Sequence, residues 1–153
     1  MPRTLRVAVA ARPVPGNRTA IAAVLRWEGA DATRTVVRRL THCGVAQGAY
    51  RALLLGLWEA RRVGARQVAL TIEDPQVVAQ LTGGEALPTE AIGLYLQVRA
   101  LRNAFAETRI VAGDASAEGD LAAAQFAAAA SAGTTRRVTY NYKDLPLWAT
   151  AAP

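Results

Sequence analysis

The chain has 153 residues, 52% of them hydrophobic and 20% charged, which suits one globular domain and excludes wholesale disorder. Its net charge of +6 favours a polyanionic partner, although the arginine and alanine usage of a GC-rich genome would give the same excess. No apolar run reaches the roughly 18 residues of a membrane helix, and the single cysteine, Cys43, excludes an internal disulfide and a multi-cysteine zinc site. We therefore expect a cytoplasmic protein that does not bind membranes.

The first forty residues have the pattern of three short strands. Apolar residues dominate positions 5–11 and 19–27, residues 33–40 (TRTVVRRL) are predicted to form the third strand, and turn-forming residues separate these runs. The segment 12–17 (RPVPGN) is predicted to be a loop. Short connections between successive strands predict an antiparallel meander.

From Tyr50 onward the apolar residues recur at helical spacing and then alternate with short strand-like runs. The predicted elements are a helix closed by Gly64, a strand over 67–72, a helix over 75–81, a helix opened by Pro88, a strand over 108–112 and an alanine-rich helix over 116–130.

This order of elements predicts an α/β fold with a five-stranded mixed sheet. The antiparallel meander is extended by parallel strands through helical crossovers, which place helices on both faces of the sheet. The predicted domain covers residues 1–133, and residues 134–153 form a basic and aromatic tail rather than a second domain.

Three segments carry motifs that occur in the same order and at similar spacing in a known family. Residues 47–57 (QGAYRALLLGL) resemble a first helix written Q-A-E-Y-x-A-L-x-x-G-L, and residues 73–83 (EDPQVVAQLTG) resemble the segment D-S-x-x-V-V-x-Q-L-x-G. Residues 116–122 (SAEGDLA) are similar to the start of a last helix, N-x-x-A-D-x-L-A. On these motifs, residues 5–131 resemble the ribonuclease H family, and the resemblance implies a ribonuclease H-like fold.

The resemblance also implies a chemistry, in which four carboxylates hold two Mg²⁺ ions that hydrolyse the RNA strand of RNA–DNA hybrids. Asp74 and Asp120 match two of these carboxylates. The family glutamate falls on Ala49 and the first-strand aspartate falls near Val9, where the sequence has no acid. Asp114 is the best nearby candidate for an additional metal ligand. The incomplete set predicts a catalytically degenerate domain without a cofactor, and any residual activity would need Mg²⁺ or Mn²⁺ at these aspartates.

Other interpretations of these acids remain open. Asp74 and Asp120 each also fit a helix-capping role, because an aspartate before a helix accepts backbone N–H bonds. A divergent active nuclease would combine both with a recruited acid such as Asp114 or Glu73, and Glu73 would face the site only if the strand end were distorted. A third interpretation is a structural homodimer.

The predicted partners are an RNA–DNA hybrid or another nucleic acid, and a second copy or another protein bound through the tail. Residues 83–90 are acidic where relatives carry a basic cluster that holds the hybrid. In the tail, Val138, Tyr140 and Tyr142 share one face of an extended segment that suits either base stacking or docking on a sheet edge. The candidate nucleic-acid contacts are Arg12, Arg38, Arg39, Arg51, Tyr140 and Tyr142.

Overall fold

The structure is a computed structural model. Asp114 and the predicted tail, with Tyr140 and Tyr142, lie outside the residues that it describes. No helix in the described part of the chain has the length and hydropathy of a membrane span. The described residues are 3–16, 18–41, 43–111 and 115–132.

Five strands and four α-helices make up the described residues, in the predicted order. The sheet has the strand order β3-β2-β1-β4-β5, in which β1–β2 and β2–β3 are antiparallel and β1–β4 and β4–β5 are parallel. The predicted mixed sheet is therefore confirmed. The elements are β1 (Thr4–Val14), β2 (Arg18–Trp27), β3 (Arg34–Thr41), α1 (Val45–Arg62), β4 (Gln67–Ile72), α2 (Pro75–Leu81), a 3-10 turn (Thr89–Ala91), α3 (Ile92–Arg102), β5 (Glu107–Ile110) and α4 (Ala115–Ala132).

Helix α1 packs against one face of the sheet and forms the main core with α3. Trp27, Tyr50 and Leu57 are among the largest side chains buried there. A Cβ atom at Gly56 would lie 2.7 Å from Val7 Cγ1, so the helix approaches β1 more closely than any side chain would allow. Gly56 therefore allows the short distance between α1 and the sheet.

Helix α4 covers the opposite face with small residues. Ala124 packs on Ala8 and Ala10, and Ala128 packs on Ala22. Alanine side chains let a helix lie close to a sheet because they add little bulk between the two backbones. The alanine-rich helix therefore packs as its composition predicts.

The predicted loop over residues 12–17 is wrong for residues 12–14, because β1 continues through Val14, and it is confirmed at Pro15 and Gly16, which form the turn. Residue 17 lies outside the described residues. Gly16 has a φ of 84°, which favours glycine. The outer part of β1 pairs with β2 alone, since the pairing with β4 ends at Val9. Pro13, which has no N–H, is tolerated because no strand lies beside it on the β4 side.

Candidate functional site

A pocket of about 300 Å³ lies where β4 ends and β1 continues, paired with β2 but no longer with β4. Open α/β sheets bind ligands beyond the carboxyl ends of their strands, so this is the expected place for a site. The pocket brings together Ala49 and Asp74, two of the positions at which the sequence predicts site residues. Its lining residues are Ala11, Arg12, Pro13, Thr19, Ala49, Glu73, Asp74 and Pro75.

The β1 residues that line this pocket are Ala11, Arg12 and Pro13, and Val9 is not among them. Val9 is buried in the core beneath α1, and a Cβ atom at Gly56 would lie 2.8 Å from its Cγ1 atom. A Cβ atom at Gly48 would lie only 3.5 Å from Ala11 Cβ, so the first turns of α1 also sit close to this wall. The pocket therefore has methyl groups at Ala11 and Ala49 on its two walls.

Glu73 is one of three described ionisable residues that line the pocket, with Arg12 and Asp74. Its Oε2 atom accepts a hydrogen bond from Ala11 N at 3.3 Å, and its Oε1 atom accepts one from Gln125 Nε2 at 3.3 Å. The Arg12 guanidinium also donates to Oε1 through the nitrogen that bonds the carbonyl oxygen of Ala11 at 2.7 Å. The negative charge of Glu73 is thus matched by a cation from the protein itself.

From the sequence alone, Glu73 is a secondary alternative with no predicted partner, although Glu73, and not Asp74, stands opposite the D of the motif D-S-x-x-V-V-x-Q-L-x-G. Strand β4 ends at Ile72, and the Glu73 carboxylate then takes the N–H of Ala11 where a further ladder bond would fall. Arg12 was a predicted nucleic-acid contact, yet its guanidinium is held by Glu73. The alternation of side chains along β1, extended through residue 12, was the signal that would have placed Arg12 at this strand end.

Asp74 caps helix α2. Its Oδ1 atom accepts a hydrogen bond from Gln76 N at 2.9 Å, and Pro75 follows at the first helical position. Proline fits there because its missing N–H would have no helical partner. This is the capping role that the sequence favours for Asp74, and it leaves the rest of the carboxylate facing the pocket.

Asp120 lies at the other end of the sheet. Arg26 Nη2 is 3.1 Å from Asp120 Oδ2 and Arg26 Nε is 3.2 Å from the same oxygen, with the two side chains 15% and 13% exposed. Arg26 pairs with Arg6, which is five residues, or about 16 Å, along β1 from Ala11. Asp120 is also inside α4, so it does not cap the helix start as the sequence suggested. The structure does not bring Asp120 and Asp74 together.

The predicted arginine contacts do not share one surface. Arg38 and Arg39 are neighbours on β3 and therefore point to opposite faces of the sheet. Arg39 Nε donates to the carbonyl oxygen of Ser131 on α4 at 3.0 Å. Arg51 is exposed on α1, two residues after Ala49. Of the four predicted arginines, Arg12 lines the pocket and Arg51 is the exposed one. Two residues along a helix turn a side chain by about 200°, so Arg51 points away from the side of Ala49.

A buried tyrosine that the sequence did not single out joins the two helices that border the pocket. The Tyr50 hydroxyl donates a hydrogen bond to Gln80 Oε1, which joins α1 to α2. Burial raises the pKa of Tyr50 to about 12, with smaller contributions from Tyr95 and from the Asp74 carboxylate. This bond holds Ala49 on α1 and Asp74 at the start of α2 in one pocket.

The profile of the reverse transcriptase-like family matches residues 9–113, which is more than half of the chain. The chain belongs to this family, within the ribonuclease H-like superfamily. A search of the curated proteins found no match.

Solved structures with the same fold include three ribonucleases H. That of the halophilic archaeon Halobacterium salinarum is 18% identical with a TM-score of 0.65, over 84% of this chain and 98% of that one. The N-terminal ribonuclease H domain of a Mycobacterium tuberculosis protein, solved as a fusion with maltose-binding protein, is 21% identical with a TM-score of 0.59, over 75% and 91%. LC11-RNase H1, in complex with an RNA/DNA hybrid, is 16% identical with a TM-score of 0.60, over 83% and 99%. At these identities the likeness establishes the fold.

The described residues of this reverse transcriptase-like domain do not fit the two-metal site of ribonuclease H. Mg²⁺ takes oxygen ligands, but the pocket presents methyl groups at Ala11 and Ala49. Its two carboxylates are those of Glu73, which is paired with Arg12, and Asp74, which caps α2. No group of three potential metal ligands occurs in the part of the chain that the structure describes.

Proposed function

We propose that this chain is a ribonuclease H-like domain that has lost hydrolytic activity and binds nucleic acid as a module. The observation that carries the proposal is the ion pair of Arg12 and Glu73 in the pocket. A guanidinium held beside the carboxylate repels metal ions and leaves Glu73 without a free charge to attract them.

The loss of acids at Ala11 and Ala49 supports the same conclusion. Two-metal hydrolysis needs carboxylates on both sides of the ions, to activate the attacking water and to stabilise the leaving oxygen. Asp74 alone keeps an unpaired carboxylate in the pocket, and one of its oxygens already accepts the Gln76 N–H. The ion pair that holds Asp120 on Arg26 removes the remaining family aspartate from this end of the sheet.

Two observations support nucleic acid as the proposed ligand: the net positive charge of the chain and its structural similarity to a ribonuclease H that was solved with nucleic acid. The net charge of +6 attracts phosphates, and Arg51 offers an exposed guanidinium on α1. LC11-RNase H1, which has the same fold, was solved with an RNA/DNA hybrid. Binding through arginine and phosphate alone is weakly selective for sequence, so hybrid and duplex are both expected to bind.

The test is a titration of a labelled RNA–DNA hybrid with the full chain, with and without Mg²⁺ or Mn²⁺, that follows both binding and cleavage. We expect metal-independent binding that weakens as salt rises, and cleavage no faster than in buffer. Cleavage that requires metal and disappears in the Asp74→Asn variant would overturn the loss of activity and establish a divergent nuclease. An absence of binding at low salt would overturn the nucleic-acid module and leave protein assembly as the function.

A further inference from the structure

Helix α4 is apolar on the side that faces the solvent as well as on the side that faces the sheet. Phe126 is 77% exposed and lies at the centre of the outer side. A helix that is hydrophobic all round is normally covered on all sides. The exposed residues around Phe126 are Ala122, Ala123, Ala129 and Ala130.

We propose that the chain's own segment 138–148 folds back and covers the outer face of α4. Helix α4 ends at Ala132, and the sequence continues for another 21 residues to Pro153. The residues 133–137 (GTTRR) separate the helix from the apolar segment, and glycine at their start is the residue that most often lets a chain reverse after a helix. The segment follows α4 along the chain with five residues between them, so the outer face of α4 is within its reach.

The spacing of apolar residues in the segment matches that of the helix face. In an extended segment, Val138, Tyr140 and Tyr142 recur at about 6.6 Å on one side. On α4, Ala130, Phe126 and Ala122 recur every four residues, which is about 6 Å along the helix. An antiparallel segment therefore places Tyr140 over Phe126, with Val138 and Tyr142 over the flanking alanines.

Charge favours this segment over a second copy of α4. The ionisable residues of α4 are Glu118 and Asp120, both acidic. The segment carries Lys143 and Asp144 and is neutral by itself, but with its linker it is basic, because Arg136 and Arg137 precede it. These two arginines follow the carboxyl end of the helix, where the helix dipole favours cations. Two copies of α4 packed through the outer face would bring no basic side chain of the helix to their shared surface, because Asp120 is held by Arg26 and the exposed ionisable residue is Glu118. Such a pair gains no charge attraction.

The experiment is a double-mutant cycle in the full-length protein, using Phe126→Ser, Tyr140→Ser and the two combined. If Tyr140 covers Phe126, each single variant lowers the melting temperature by about 3 °C or more. The melting temperature of the double variant is then only slightly below that of the less stable single variant, because the two substitutions remove the same contact. A matched control is Leu96→Ser on α3, since Leu96 is 55% exposed and lies on the other side of the sheet. Its effect should add to that of Tyr140→Ser.

The mass of each protein in solution, measured by light scattering, separates the two ways of covering the helix. Coupling between Phe126 and Tyr140 in a monomer supports the proposal. Coupling in a dimer that dissociates in the Phe126→Ser variant would overturn it and assign the surface to a second copy. Additive effects, or an unchanged melting temperature in Phe126→Ser, would show that the segment does not cover α4. None of these outcomes depends on whether the protein binds nucleic acid.

Discussion

The Arg12 guanidinium holds the Glu73 carboxylate at the point where β1 extends beyond the end of β4. Glu73 also accepts the N–H of Ala11, so one side chain both continues the sheet ladder and binds the cation. The resemblance implies that ribonucleases H hold their metal ions at this end of the sheet. Here a protein cation supplies the positive charge, which makes Arg12 the residue whose removal should change the pocket most.

We expect Arg12→Ala to create a weak site for divalent cations. Without the guanidinium, Glu73 and Asp74 both present unneutralised carboxylates to one pocket. The affinity for Mn²⁺ should rise about tenfold or more, which corresponds to about 1.4 kcal/mol. Calorimetric titration of Mn²⁺ into the variant and the wild type measures the change.

The control for this variant is Arg18→Ala, which removes an exposed arginine of the same hairpin that bonds the carbonyl oxygen of Pro15. Arg18→Ala should leave Mn²⁺ affinity close to that of the wild type. The free energy of unfolding should fall by less than about 1 kcal/mol in either variant, because a half-exposed ion pair contributes little. Equal Mn²⁺ affinity in all three proteins would contradict the role given to Arg12.

Asp120→Asn should destabilise the fold without changing the affinity for metal. The substitution weakens an ion pair in which both partners are largely buried, and it leaves the Arg26 guanidinium without a counter-charge. The free energy of unfolding in urea should fall by about 2 kcal/mol. The matched variant Glu118→Gln, on an exposed position of the same helix, should change it by less than about 0.5 kcal/mol. A loss of Mn²⁺ affinity in Asp120→Asn would instead place this carboxylate in a metal site.

The elements with strong local signals were predicted to the residue. Strand β4 and helix α2 have the bounds that the sequence predicts, because Asp74 and Pro75 mark the helix start. The segment around Pro13 was assigned to a loop since proline is rare inside sheets. Pro13 fits in a strand because β4 ends at Ile72 and leaves that side of β1 without a neighbouring strand among the described residues. The sequence around Pro13 does not show where β4 ends.

The site was less predictable than the fold because side-chain partners are set by packing. The motif around Asp120 gives the order of residues along α4, but not the angle at which the helix crosses the sheet. That angle brings Gln125, not Asp120, to Glu73. Likewise, the sequence shows that Glu73 and Arg12 are oppositely charged, and only the register of β1 with β4 shows that they meet.

Arg51→Ala should weaken the binding of an RNA–DNA hybrid by removing one phosphate contact. In a plot of the logarithm of affinity against the logarithm of salt concentration, the slope should become shallower by about 1. Fluorescence anisotropy at four or five salt concentrations measures both slopes. Arg66→Ala removes an exposed arginine just before β4, at the opposite end of the sheet, and should leave the slope unchanged. Equal changes in the two variants would show that the net charge, rather than the exposed surface of α1 at Arg51, attracts the nucleic acid.

The stability of the protein should fall at high pH through Tyr50. Burial raises the pKa of Tyr50 to about 12 in the folded protein, whereas an unfolded tyrosine titrates near 10. Below pH 10 both states keep the phenol proton and the contribution is fully present. Between pH 10 and about 12 only the unfolded state releases the proton, so the free energy of unfolding decreases as pH rises.

Comparison with Tyr50→Phe isolates this effect, because every other titrating group is common to the two proteins. At pH 7 the variant should be less stable by about 1–2 kcal/mol, since Gln80 loses the hydroxyl that it binds. As pH rises from 10 towards 12, the difference in free energy of unfolding between the two proteins should shrink by about 1.4 kcal/mol per pH unit. It should then reverse, so that the variant becomes the more stable protein. Urea unfolding of both proteins at intervals between pH 7 and pH 11.5 measures the difference. A gap that stays constant over this range would mean that the phenol of Tyr50 titrates normally and is not held by burial between α1 and α2.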